Sequence, residues 1–144
     1  MRAAGFSIST DATLFTEDLQ TAQERELQHF IQDRFRGEAE QWGIPTELRA
    51  FDIAELHAVL TAGGTAIVLV DTLLVTGEKC PHWIVVHGLA GDGGHFLAHD
   101  PWTEWAQGES WVDAYDVPLA PEALDKIAWT GTPPVRAMLT FAPR

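Results

Sequence analysis

Residues 80–102, CPHWIVVHGLAGDGGHFLAHDPW, carry the side chains of this sequence that are best suited to acid–base chemistry. The segment contains the only cysteine, Cys80, and four of the six histidines, and Asp100 stands near its end before a proline. Imidazole exchanges protons near neutral pH, and a carboxylate bonded to it fixes the ring and stabilises its charged form. A catalytic His–Asp pair, a metal site and a structural hairpin are the interpretations that this composition leaves open.

The spacing within this segment predicts a β-hairpin that brings His82 and Asp100 together. Strands over 82–90 and 94–100 flank the turn sequence GDG. With the turn centred on Asp92, paired residue numbers sum to about 184, and residues two apart on a strand share a face. His82 and Asp100 then lie on one face with Ile84, Phe96 and Ala98, within reach of an imidazole–carboxylate hydrogen bond. A shift of the register by one residue would separate them.

The opposite face of this hairpin is expected to carry three histidines, His87, His95 and His99. Three imidazoles could bind zinc. No cysteine or acidic residue stands at a spacing typical of metal motifs, so the main interpretation assigns no metal ligand and no cofactor. A metal-dependent hydrolase that uses these three histidines is kept as an alternative.

The elements around the hairpin predict an α+β fold with an antiparallel sheet. An apolar stripe at spacings of three and four predicts a helix from Thr21 to Trp42. Asp52 with Glu55 forms a capping-box pattern for a second helix, which Gly63 and Gly64 end. The other predicted elements are strands at 5–10, 44–52, 65–73 and 135–142 and a short helix near 121–128.

Composition and charge narrow the class of protein. The 144 residues fit a single domain, residues 1–144, and 21 acidic against 9 basic residues disfavour nucleic acid and anionic membranes as partners. One cysteine cannot form an internal disulfide, and the N-terminus has no apolar run of signal-peptide length. The sequence therefore predicts a cytoplasmic location.

The segment GGTAIVLVDTLLVTGEKCPHWIVVHGLAGDGGHFLAHDPW resembles papain-fold cysteine peptidase-like domains related to the bacteriocin (double-glycine) leader processing peptidases. The matching motifs are the apolar strand 64–70, the HW–V–V strand 82–86 and the DP pair 100–101. The resemblance is specific over residues 63–102 and looser back to Gly5. It looks most like the stand-alone bacterial branch, in which HW follows a turn that contains lysine.

This resemblance implies a papain-like fold with His82 as the general base and Asp100 as the residue that orients it. In the family the nucleophilic cysteine begins an N-terminal helix in a C–G–x–x motif, with an oxyanion-hole glutamine just upstream. Neither motif occurs in this chain, so we expect a domain that lacks this helix, either inactive alone or completed by another segment. Cys80 is interpreted as a turn residue, because Pro81 separates it from His82 and no helix N-terminus is predicted there to activate it.

A non-catalytic binding module derived from a peptidase is the alternative function. A peptide or protein is the expected ligand in both cases, with Trp83 and Trp102 as the candidate binding residues. Trp105 and Trp111 could line the same cleft, and core packing is the competing role, favoured for Trp83. A sheet without its helix would expose apolar surface, so a homodimer or a complementing subunit is expected.

Overall fold

The computed structural model describes residues 3–6, 21–77, 79–91, 93–102, 106, 108–110, 112–131 and 134–143. The strands are β1 Ala3–Phe6, β2 Thr65–Asp71, β3 Pro81–Leu89, β4 Phe96–His99, β5 Val117–Leu119 and β6 Met138–Phe141. The helices are α1 Ala22–Gln41, α2 Ile53–Thr61, α3 Leu73–Thr76 and α4 Pro121–Ile127.

These strands form one six-stranded sheet in the order β1-β6-β2-β3-β4-β5. Every neighbouring pair is antiparallel. The predicted α+β class with an antiparallel sheet is confirmed, and β2 and β3 occupy its centre. The predicted strand 5–10 overlaps β1 only at residues 5–6, and residues 7–10 lie outside the described part of the chain.

Helix α1 confirms the predicted helix but leaves its apolar stripe uncovered. Thr21 and Glu24 form a capping box at its start, and Gly43 follows its C-terminal cap with a φ of 67°, which glycine tolerates. Within the part of the chain that the structure describes, none of its residues is buried. Three of its large apolar side chains are exposed, Leu27 at 58%, Phe30 at 64% and Phe35 at 61%, and Ile31 is half-buried.

The segment before α2 differs from the sequence prediction. The capping box of Asp52 and Glu55 is present as expected, but the predicted strand 44–52 is wrong. Its polar groups make local hydrogen bonds instead of a strand ladder. The Asp52 N–H donates to the Glu55 carboxylate, and the Arg49 guanidinium donates to the carboxylates of Glu47 and Glu55. Phe51, 2% exposed, anchors this segment in the core.

The main core lies between one face of the sheet and helices α2 and α4. Its fully buried side chains include Leu56 of α2, Leu124 of α4, Val68 of β2 and Val86 of β3. On the other face of the sheet lies a smaller buried cluster, formed by Leu69, Val135 and Ala137. The alternation of Val68, Leu69 and Val70 between the two clusters explains why β2 reads as a continuous apolar run.

The predicted strand 65–73 ends at Asp71, and α3 begins at Leu73, inside the range that was predicted as strand. Asp71, 8% exposed, accepts a hydrogen bond from the Leu73 N–H at 2.9 Å, which turns the chain out of the sheet. None of the helices in the described ranges is long and apolar enough to cross a membrane.

Candidate active site

His82 lies near the start of β3, on the face of the sheet that α2 and α4 cover. It pairs with Val70 of β2, and Val70 belongs to the main core cluster. Cross-strand partners share a face, so the ring projects to the helix-covered side. The side chain is 17% exposed. Its position follows from the sequence, because residues two apart, His82, Ile84 and Val86, face the same side.

Asp100 follows β4 directly and is held by the chain on both sides. Its N–H donates to the Ala114 carbonyl at 2.8 Å, and its Oδ1 accepts the Trp102 N–H at 2.8 Å. Pro101 has no N–H and restricts the residue before it to extended conformations, so the first amide that the carboxylate can bond is that of Trp102. The sequence DPW thereby aims the carboxylate by a local turn.

The two side chains form the predicted hydrogen bond. His82 Nε2 lies 2.6 Å from Asp100 Oδ1. An ionised carboxylate only accepts hydrogen bonds, so Nε2 carries the proton and Nδ1 is left as the basic nitrogen. Among the described residues, no hydrogen bond to His82 Nδ1 is found. The arrangement therefore presents a ring nitrogen that can accept a proton from a group facing it.

Trp102 stands beside this pair, whereas Trp83 does not. The Trp102 and His82 rings meet edge to face with their centroids 6.4 Å apart, and Trp102 is 62% exposed. Trp83 neighbours His82 on β3 and therefore points to the other face, where it packs against Leu69, Val135 and Ala137. Trp105 and Trp111 lie outside the described residues.

Cys80 occupies the turn before β3, as expected. Its carbonyl accepts hydrogen bonds from the Thr72 N–H at 3.1 Å and the Thr72 hydroxyl at 3.3 Å. The thiol is exposed and donates weakly to the Pro81 carbonyl, with Sγ 3.6 Å from the oxygen. It makes no hydrogen bond to His82.

The register of the hairpin is confirmed at the end that bears the His–Asp pair and shifts near the turn. Val85 pairs with His99 and Val86 with Ala98, as the sum of about 184 requires. Beyond a bulge, Gly88 pairs with Leu97 and Leu89 with Phe96. The extra residue keeps Val86 and Leu89 both on the core face although they are three apart.

The predicted cluster of His87, His95 and His99 is wrong in one member. His87 and His99 stack with ring centroids 4.0 Å apart on the face opposite His82. His95 is exposed and lies in the turn, because β4 begins only at Phe96. The third member is Asp116, whose Oδ1 lies 2.9 Å from His87 Nε2. Sequence reasoning missed Asp116, because residues 101–135 gave no periodic signal that would place β5 beside β4.

His82, near the start of β3, and Asp100, directly after β4, thus bring an imidazole and a carboxylate together at one end of two neighbouring strands of an α+β domain. The model of the Peptidase_C39 like family matches residues 2–142, and the chain therefore belongs to this family. No curated protein and no solved structure matches the chain significantly. The relationship to C39 peptidases inferred from the HW and DP motifs is confirmed, while the bacterial branch and the missing N-terminal helix stay predictions.

Proposed function

We propose that this chain is a cysteine peptidase-like domain that supplies the general base, His82, and the residue that orients it, Asp100. The observation that supports this most is the 2.6 Å contact between His82 Nε2 and Asp100 Oδ1, which leaves Nδ1 as the proton acceptor. In this proposal the nucleophilic thiol comes from a segment outside the 144 residues. Cys80 is their only cysteine, and its thiol donates to the Pro81 carbonyl.

In this proposal the reaction is hydrolysis of a peptide bond through a thioester. His82 Nδ1 takes the thiol proton, and the thiolate attacks the carbonyl carbon of the substrate. The same nitrogen returns the proton to the leaving amine, and water then releases the acyl group. Asp100 stays ionised throughout and holds Nε2–H, so that the ring keeps one orientation and its cationic form is stabilised.

The test is peptide hydrolysis by the polypeptide extended to include the coding sequence upstream of Met1. His82→Ala should lower the rate roughly 100-fold or more, the usual contribution of a general base. The matched control is His29→Ala, an exposed histidine on α1. Equal rates for the extended protein and its His82→Ala variant would remove His82 from the reaction.

A peptide-binding module without catalysis is the second candidate function, and exposed Trp102 favours it. The ring is 62% exposed although it lies beside a half-buried His–Asp pair, so it offers aromatic contact area to a peptide chain. Trp102→Ala should weaken peptide binding. Trp42→Ala should not, although Trp42, at the C-terminal cap of α1, is even more exposed at 74%. Binding without any hydrolysis by the extended protein would favour this function over the first.

The partner in this proposal is a second copy or a complementing subunit that covers α1. Leu27, Phe30 and Phe35 lie on one helix and are each more than half exposed, at 58%, 64% and 61%. Several exposed large apolar side chains on one helix are consistent with an interaction surface. Sedimentation equilibrium of the wild type and of Phe30→Glu tests this. The introduced charge should make the association constant of the variant lower than that of the wild type.

A further inference from the structure

On the face of the sheet opposite His82, His87, His99 and Asp116 form a cluster separate from the proposed active site. His87 is in β3 and His99 ends β4, while Asp116 lies in the bend just before β5, the next strand of the sheet. Possible ligand atoms of the three residues all lie within 4.8 Å of one another. Two members of the cluster are therefore strand residues, and the third directly adjoins a strand of the same sheet.

The distances between these atoms suit a shared cation. His87 Nε2 lies 2.9 Å from Asp116 Oδ1, and His99 Nδ1 lies 3.9 Å from the same oxygen. Two ligands about 2.0–2.1 Å from a tetrahedral zinc ion stand roughly 3.3 Å apart. The two observed separations bracket that value. The two imidazole rings stack at an interplanar angle of 24°, so binding requires a ring rotation that turns both nitrogen lone pairs toward one ion.

His87 gives an independent reason to place an ion here. Its Nε2 is buried from solvent and has no hydrogen-bond partner, although Asp116 Oδ1 is only 2.9 Å away. His87 Nε2 and Asp116 Oδ1 are therefore close enough for a hydrogen bond, but the N–H does not point at the oxygen. Buried polar atoms in native proteins are almost always satisfied, and a metal ion between imidazole and carboxylate would satisfy both.

The backbone and the neighbouring ring hold the other two members. Asp116 has a φ of 52°, in the left-handed region that non-glycine residues seldom adopt. Its N–H donates to His99 Nδ1 at 3.1 Å, and Tyr115 stacks on His99 with ring centroids 4.1 Å apart. On metal binding, the ion would replace the Asp116 N–H as the partner of His99 Nδ1. That hydrogen bond is exposed, so the freed amide can bond water instead.

We propose that His87 Nε2, His99 Nδ1 and Asp116 Oδ1 bind a divalent first-row transition metal ion, with Zn²⁺ as the probe. Two imidazoles and one carboxylate form a donor set that suits zinc and its neighbours and leaves one position for water. The ion ties β3, β4 and the start of β5 together on the face away from His82. The site is independent of the proposed hydrolysis, since neither His82 nor Asp100 is a ligand.

The experiment is zinc binding to the tag-free chain, measured by competition with a chromophoric chelator, with Co²⁺ absorption as a probe of geometry. Wild type should bind one ion with a micromolar or lower dissociation constant. His87→Gln, His99→Gln and Asp116→Asn should each weaken binding by roughly 10- to 100-fold or more. Circular dichroism verifies that each variant folds.

The matched control is His95→Gln, an exposed histidine of the same hairpin that lies outside the cluster. Its affinity should equal that of wild type. No saturable binding by wild type would overturn the proposal whatever the variants do. Loss of binding in His95→Gln with retention in His99→Gln would also overturn it, in favour of a different donor set.

Discussion

The bond between His82 and Asp100 should contribute a measurable coupling energy to folding. A hydrogen bond to an ionised group contributes about 1.5–3 kcal/mol, and solvent screening reduces exposed pairs to about 0–1 kcal/mol. His82 is 17% exposed and Asp100 is 40% exposed, so the pair lies between these cases. We expect a coupling of about 1–2 kcal/mol.

A double-mutant cycle with His82→Ala and Asp100→Ala measures this coupling from urea unfolding. Asp100→Ala alone also removes the acceptor of the Trp102 N–H, and the cycle cancels that separate cost. The control cycle pairs His82 with Glu122, an exposed carboxylate on α4. A coupling no larger than that of the control, within about 0.3 kcal/mol, would refute the bonded pair in solution.

Three further predictions concern the scaffold and are measured by denaturation. Leu56→Ala removes a fully buried side chain and should cost about 2–5 kcal/mol, whereas Leu74→Ala, at 69% exposure, should stay within about 0.5 kcal/mol. Gly64→Ala should destabilise by about 1–3 kcal/mol, because its Cβ would lie 2.8 Å from the carbonyl oxygen of the β6 residue Phe141; Gly91→Ala, with open space around it, should cost far less. The bond to the Arg49 side chain, and then that to the Asp52 N–H, lowers the pKa of Glu55. That contribution to stability is therefore present above the ordinary glutamate range and lost as pH falls below it, so Glu55→Gln should flatten the acid limb of the stability curve.

The sequence predicted the elements whose signals are local. An apolar stripe predicted α1, the capping-box pattern of Asp52 and Glu55 predicted the start of α2, and the apolar run of β2 predicted the central strand. The strand predicted at 44–52 was wrong. The polar residues there cap α2 through Asp52 and form the ion pairs of Arg49 with Glu47 and Glu55. The exposure of the apolar stripe of α1 could not be predicted from the sequence either. Periodicity shows that one face of a helix is apolar, but it does not show what covers that face.

The part of the candidate site that depends on the register of the β3–β4 hairpin could be predicted from the sequence. Turn position and period-two alternation sufficed to bring His82 to Asp100, a contact between residues 18 apart in sequence. The bulge beside Gly88 and the neighbour Asp116 were not predictable, because both depend on how β4 packs between β3 and β5. Glycine within a strand is the one signal that could have indicated the bulge.

Labelling with a thiol-directed peptide electrophile, with the modified residue located by mass spectrometry, tests whether His82 activates a thiol other than that of Cys80. We expect no His82-dependent labelling of the chain alone. We expect labelling of the upstream-extended polypeptide at a cysteine other than Cys80, at a rate that His82→Gln lowers roughly 100-fold or more. Rapid labelling of Cys80 that disappears in His82→Gln would contradict the account, because Cys80 would then be the nucleophile. Labelling of the extended form that is indifferent to His82→Gln would contradict it as well, because His82 would not be the base.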